Sequence, residues 1–181
     1  MKSKNKFAFA IFSLCLVFPL AAHAQNAPSD TYPLPATTVA PSPKNRSAEK
    51  IALVKVVLSE QYAYVYSKKG RLIASIAVST GLDNSTPTGS FKVFSKSRET
   101  FYELNPTERM RWMVRFTKGR QGGNIGFHSI PFKVTSKGET KLFTPVGIAP
   151  SSHGCIRVRD VDAKWLFANI EIGTRVVVKK D

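Results

Sequence analysis

Ser151-Ser152-His153-Gly154-Cys155-Ile156-Arg157-Val158 places a thiol two residues from an imidazole, beside a glycine and ahead of an arginine. A thiolate is a strong nucleophile and a thiol a weak one, and an unperturbed pKa of about 8.5 leaves only a small fraction ionised at neutral pH. An imidazole able to take that proton makes Cys155 a candidate for attack on a carbonyl. Two histidines beyond residue 24 can serve, His128 and His153. In an extended segment His153 and Cys155 share a face at roughly 7 Å between Cα atoms, too far for an assured hydrogen bond unless the chain turns at Gly154. His128 comes from a distant part of the chain, which is how nucleophile and base are commonly brought together. Spacing alone leaves both candidates open.

The neighbours of Cys155 suit the same chemistry. Gly154, without Cβ, admits a close approach of backbone or substrate. The amide N–H of Cys155, with that of Gly154, suits the oxyanion of a tetrahedral intermediate. Arg157 offers a fork for a substrate carboxylate and a positive charge that favours thiolate, with a surface ion pair to Asp160 or Asp162 as the plainer alternative.

The rest of the chain must deliver these groups. Lys2, Lys4 and Lys6, the apolar run Phe7 to Leu20 and Ala22-His23-Ala24 read as a signal peptide over 1–24, cut before Gln25. The apolar run is shorter than the roughly 20 residues that span a bilayer. Removal of that segment takes Cys15 with it and leaves Cys155 as the sole thiol. In an oxidising compartment a lone thiol is a liability unless it is used. The expected location is the periplasm or the cell wall, with membrane contact only through the transient signal peptide. The whole chain carries a formal charge of +15, and loss of the three lysines leaves +12. Such a charge suits nucleic acid, but export turns the expectation toward anionic wall polymers and excludes nucleic acid as partner. Arg109, Arg111, Arg115, Lys118 and Arg120 form the densest basic stretch.

Residues 25–50, with Pro28, Pro33, Pro35, Pro41 and Pro43, read as a flexible linker. Residues 51–181 suit one domain. Strand patterns appear at Ile51 to Leu58, Gln61 to Tyr66, Leu72 to Ser79, Phe91 to Phe94, Trp112 to Phe116 and Arg175 to Val178. One helix is expected, capped by Asp160, with Val161, Trp165 and Leu166 on its apolar face. The expected fold class is mainly β, a sandwich or barrel-like domain with about one helix after the cysteine motif.

Ser152-His153-Gly154-Cys155 followed by Ile156-Arg157 resembles the signature of the L,D-transpeptidases, the YkuD-type catalytic domain. Thr86-Pro87-Thr88-Gly89-Ser90-Phe91 is similar to the family's TPTG-x-F segment, and the helix with Ile172-Gly173-Thr174-Arg175-Val176 to its ending. The resemblance covers Ile51 to Val178. It implies that His128 is the base, oriented by the backbone carbonyl of Ser129, and that Cys155 is the nucleophile. It further implies that His153 and Gly154 line the oxyanion region, with Ser152 shaping the turn. The 23 residues between His128 and Ser152 exceed the family's usual length, and Pro131 to Pro150 is expected to be a loop or hairpin over the cleft. The implied reaction is acyl transfer on peptidoglycan stem peptides without metal or cofactor, ending in a 3→3 cross-link. Water as acceptor makes an L,D-carboxypeptidase or amidase of the same site, and a protein amine makes an enzyme that anchors a protein to the wall. Two readings of other classes remain: a zinc site of His128, His153 and Cys155, and a non-catalytic wall-binding module using the basic face and tyrosines.

Overall fold

The computed structural model describes residues 50–181 except Gln121; the segments read as signal peptide and linker lie outside the described residues, apart from Lys50. The chain opens with β1 (Ile51–Val57), β2 (Tyr62–Ser67) and β3 (Leu72–Ser79), an antiparallel meander. The period-two pattern of β2 works as alternation requires: Ala63 and Val65 are buried, while Tyr62, Tyr64 and Tyr66 are half-buried on the other face. A 3-10 turn, Leu82–Asn84, leads to β4 (Gly89–Lys92). Then come a long hairpin, β5 (Ser95–Tyr102) with β6 (Asn105–Lys118), β7 (Asn124–Ser129), and a short hairpin, β8 (Phe132–Thr135) with β9 (Gly138–Lys141). The chain closes with β10 (Ile156–Val158), α1 (Asp160–Asn169) and β11 (Arg175–Lys179).

Strand neighbours run β4-β11-β1-β2-β3-β10-β7-β6-β8-β9, with β5 on β6. Most pairings are antiparallel, but β1 with β11 and β10 with β7 are parallel. The path curls back on itself. Residues Val93 and Phe94, just after β4, donate backbone hydrogen bonds to Thr174 and to Arg115, which sit on opposite arms of the strand path. The rings of Phe91, Phe116 and Phe127 continue that closure, with centroids 5.6 and 5.2 Å apart. One hydrophobic core results. It joins Val54 and Val56 of β1, Val65 of β2, Ile76 of β3, Val114 of β6, Phe127 of β7, Leu166 of α1 and Val176 of β11. Burying each such side chain contributes about 1.5–3 kcal/mol. The mainly β architecture with one helix is as the pattern predicts.

Two expectations about α1 need correction. Asp160 is the first helical residue rather than the cap; Arg159 holds the cap position, and Asp160 instead accepts an ion pair from Lys141. Val161 faces solvent, and the buried stripe is Ala163, Leu166 and Ile170, with Asp162 also buried. The reason is tertiary. α1 lies against β6 and β7, with Phe167 meeting the Trp112 ring at 5.5 Å, so the 163-166-167-170 row turns inward. The segment from Pro131 to Pro150 contains the β8–β9 hairpin, which pairs with the start of β6. Its return is tied to β3: the Gly147 amide donates to Val78 O at 2.7 Å and the Ser79 hydroxyl to Ala149 O at 2.7 Å.

Candidate active site

β7 and β10 assemble the reactive groups. In their parallel register Ile156 lies beside Phe127, Arg157 beside His128 and Val158 beside Ser129. Paired residues of a parallel ladder point to the same face and alternate along it. Phe127 and Ile156 therefore face the core, while His128 and Arg157 share the opposite face. Cys155 immediately precedes β10; extending the ladder by one residue would set it opposite Gly126 and on the side of His128. At ordinary strand spacing Cys155 and His128 are diagonal neighbours about 8 Å apart between Cα atoms, within joint reach of a thiol and an imidazole. The register thus brings the segments that carry the two candidates side by side.

The imidazole is buried, with 2% of its surface exposed. Its Nδ1 lies 2.6 Å from Ser129 O, a carbonyl that can only accept, so Nδ1 carries the proton and Nε2 keeps its lone pair. Burial pushes the His128 pKa down to about 4; the Ser129 hydrogen bond opposes that shift and the charge of Arg157 adds to it. The half-buried Cys155 thiol donates to Asn124 O at 3.6 Å. Burial raises its pKa, while the Gly126 amide and the charges of Arg157 and Arg115 pull it down. Dehydration therefore disfavours both charged forms, thiolate and imidazolium.

The turn ahead of Cys155 is held from several sides. Ser152 is buried; its hydroxyl donates to Cys155 O at 2.5 Å and accepts from the Gly154 amide at 3.0 Å. Its backbone bonds to Thr80 and Leu82 and pairs with Gly81. Gly154 takes φ +133°, and a Cβ there would meet Ile125 Cδ1 at 2.9 Å, so both conformation and space call for glycine. The Gly154 N–H is committed to the Ser152 hydroxyl. His153 is exposed, and its ring stacks on Tyr102 at the end of β5, centroids 4.9 Å apart and planes within 6°.

Arg157 does not present a free fork to the cleft. It is 7% exposed, donates to Ser151 O at 3.0 Å and to Ser151 Oγ at 3.3 Å, and pairs with the buried Glu108 at 3.5 Å. Asp160 and Asp162 are engaged by Lys141 and Arg159 instead. Glu108 lies 49 residues upstream of its partner, and no local pattern announces it. Tyr102 and Arg115 were likewise beyond sequence reasoning, since strand register alone brings them to the site. Thr86, whose hydroxyl reaches Gly154 O at 2.8 Å, lies within the TPTG-like segment. Among the described residues no group of three or more His, Cys, Asp or Glu is arranged to hold a metal ion.

A thiol and an imidazole with a fixed tautomer on neighbouring segments are suited to acyl transfer. The comparisons with known proteins point the same way. The family model of the YkuD L,D-transpeptidase catalytic domain matches residues 51–178. YciB of Bacillus subtilis (strain 168), which bears the name of an L,D-transpeptidase, is 34% identical over 139 residues, 72% of this chain and 66% of its own. L,D-transpeptidase 1 of Mycobacterium tuberculosis is 24% identical over 70% of this chain and 50% of its own. The chain thus spans between half and just under two thirds of the length of these relatives. The solved LD transpeptidase LdtMt1 in complex with imipenem superposes with a TM-score of 0.55 at 24% identity, covering 71% of this chain and 59% of that one, a likeness of fold. Through the family match across nearly all of the described domain, the chain belongs to the YkuD family of L,D-transpeptidase catalytic domains.

Proposed function

We propose that this protein is an exported, cysteine-dependent L,D-transpeptidase that acts on peptidoglycan tetrapeptide stems and serves cell-wall organisation and cell shape. The observation that supports the reading is the β7–β10 register, which lays Ile156, next to Cys155, beside Phe127, next to His128, whose imidazole is tethered to Ser129 O. Cys155 Sγ attacks the carbonyl of the bond between the third residue, a diamino acid, and the terminal D-alanine. As the S–C bond forms, the thiol proton passes to His128 Nε2, and the oxyanion is held by the Cys155 N–H. The C–N bond then breaks, His128 returns the proton to the departing D-alanine amine, and a thioester remains. The side-chain amine of a second stem attacks this thioester, its proton passes through His128 to sulfur, and a 3→3 cross-link is released with free enzyme. Proton transfer accompanies attack, in keeping with a burial that disfavours both thiolate and imidazolium.

Residues 1–24 support export to the periplasm or wall, and the positive charge supports attraction to an anionic polymer. The test is incubation with a purified tetrapeptide-bearing muropeptide, products being read by mass. A cross-linked dimer with loss of D-alanine, absent with Cys155→Ala, is the expected result. Tripeptide without dimer would make the protein a carboxypeptidase, and no product from the folded wild type would overturn the enzyme reading.

A further inference from the structure

Thr86 is distant from the cysteine motif in sequence yet touches its backbone. It is 2% exposed. Its hydroxyl accepts from the Gly81 amide at 2.7 Å and donates to Gly154 O at 2.8 Å. An amide can only donate and a carbonyl can only accept, so the single hydroxyl proton has one place to go and the rotor is fixed. The contact is also sterically tight. A Cβ on Gly81 would lie 2.8 Å from Gly154 Cα and 2.3 Å from Ser85 Oγ, so the segment 81–86 and the cysteine turn meet backbone to backbone.

The consequence follows from peptide geometry. In a trans peptide the carbonyl of one residue and the N–H of the next point in opposite directions. Gly154 O and the Cys155 N–H belong to one such unit, and Gly154 has a glycine's freedom to rotate. The neighbouring anchors, from the Ser152 hydroxyl to Cys155 O and from the Gly154 amide to Ser152, grip the adjacent peptide units rather than this one. We propose that Thr86 is a positioning residue for acyl transfer: by pinning the Gly154 carbonyl toward the 81–86 segment, it aims the Cys155 N–H at the oxygen of the carbonyl under attack. The inference rests on the reading of Cys155 as nucleophile.

The test separates acylation, which needs an oxyanion donor, from alkylation, which does not. Imipenem acylates a thiol by forming an S–C bond, opening its ring C–N bond and placing the proton on the ring nitrogen. Iodoacetamide forms an S–C bond and releases iodide and a proton, with no oxyanion. Both adducts at Cys155 are followed by intact mass in the full folded domain. Thr86→Val is expected to acylate roughly 10²-fold more slowly, the size of effect seen when an oxyanion donor is lost. Its alkylation rate and the pH profile of alkylation should stay at wild-type values, and Thr86→Ser should restore acylation. Wild-type acylation by the valine variant, a parallel fall in both rates, or a folded serine variant as slow as valine would each overturn the proposal. If Thr86→Val lacks a cooperative melting transition, the same ratio is read on Thr86→Ala, which removes the hydroxyl without new branching. Acylation surviving in Cys155→Ala would instead overturn the nucleophile reading.

Discussion

The seam between β7 and β10 and the outer hairpins, β5–β6 and β8–β9, are built on different physics. At the seam the polar groups are buried and held by short hydrogen bonds to backbone: His128 to Ser129, Ser152 to Cys155, Thr86 to Gly154. On the hairpins the polar groups are exposed and paired by charge. Arg109 and Arg111 meet Glu99 at 2.9 and 3.2 Å, and Arg111 meets Glu139 at 2.6 Å. Leu104 at the β5–β6 turn and Phe143 beyond β9 are 78% and 67% exposed. A buried hydrogen bond that loses one partner leaves an unsatisfied group and costs about 1–3 kcal/mol, whereas an exposed ion pair is worth about 0–1 kcal/mol. The seam can therefore hold geometry for chemistry, and the hairpins can vary without unfolding the domain. Tyr102 joins the two, because its ring at the tip of the β5–β6 hairpin rests on His153 of the cysteine turn.

The largest effect should come from the nucleophile: Cys155→Ala is expected to lower turnover by roughly 10⁴-fold or more while the melting temperature holds. Next, His128→Gln should cost roughly 10²–10⁴-fold in acylation, and His153→Ala distinctly less, since the latter loses an exposed ring stack. Equal losses in stopped-flow acylation would erase the distinction between seam and rim. Phe127→Ala should destabilise the domain by about 3–5 kcal/mol in urea titration, because its ring fills the core directly beneath the seam.

The pH dependence of stability comes next in size. His128 is pushed from 6.5 to about 4 on folding, so between those values the unfolded chain binds the proton and the folded one does not. The contribution of the neutral imidazole is complete above pH 6.5 and is lost as pH falls through 4, about 3 kcal/mol in all. Denaturation curves of wild type and His128→Gln should converge over that window, and curves that stay parallel would place the ring in water. The smallest effect belongs to the rim. Glu139→Gln should leave stability close to that of the wild type, and binding to sacculi should weaken as salt rises. A loss as large as that of Phe127→Ala would mean the hairpin ion pairs support the fold.

Readability of the sequence tracked how local each interaction is. β3 follows its apolar run from Leu72 to Ser79, and β2 its alternating tyrosines, because these patterns are set by residues two apart. β5 and β9 carry too few apolar residues to signal a strand; they exist because β6 and β8 offer open edges to pair with. α1 was visible and so was the inward turn of Leu166 and Trp165, but not the exposure of Val161, since the sheet beneath decides which row turns inward. At the site, the thiol, both imidazoles and Gly154 announced themselves by type and spacing. Arg157 announced its charge but not its partner.

The amino-acid order alone established a mainly β domain, a lone thiol in the 51–181 region and two histidines as candidates for its base. Those follow from side-chain chemistry and from periodicities a few residues long. Tertiary structure decided that the strand carrying His128 lies beside the strand that follows Cys155, that Arg157 is buried against Glu108, and that Thr86 grips Gly154. Each depends on the register between strands far apart in the chain. Register is set by how a whole hydrophobic core closes, not by the residues that meet across it.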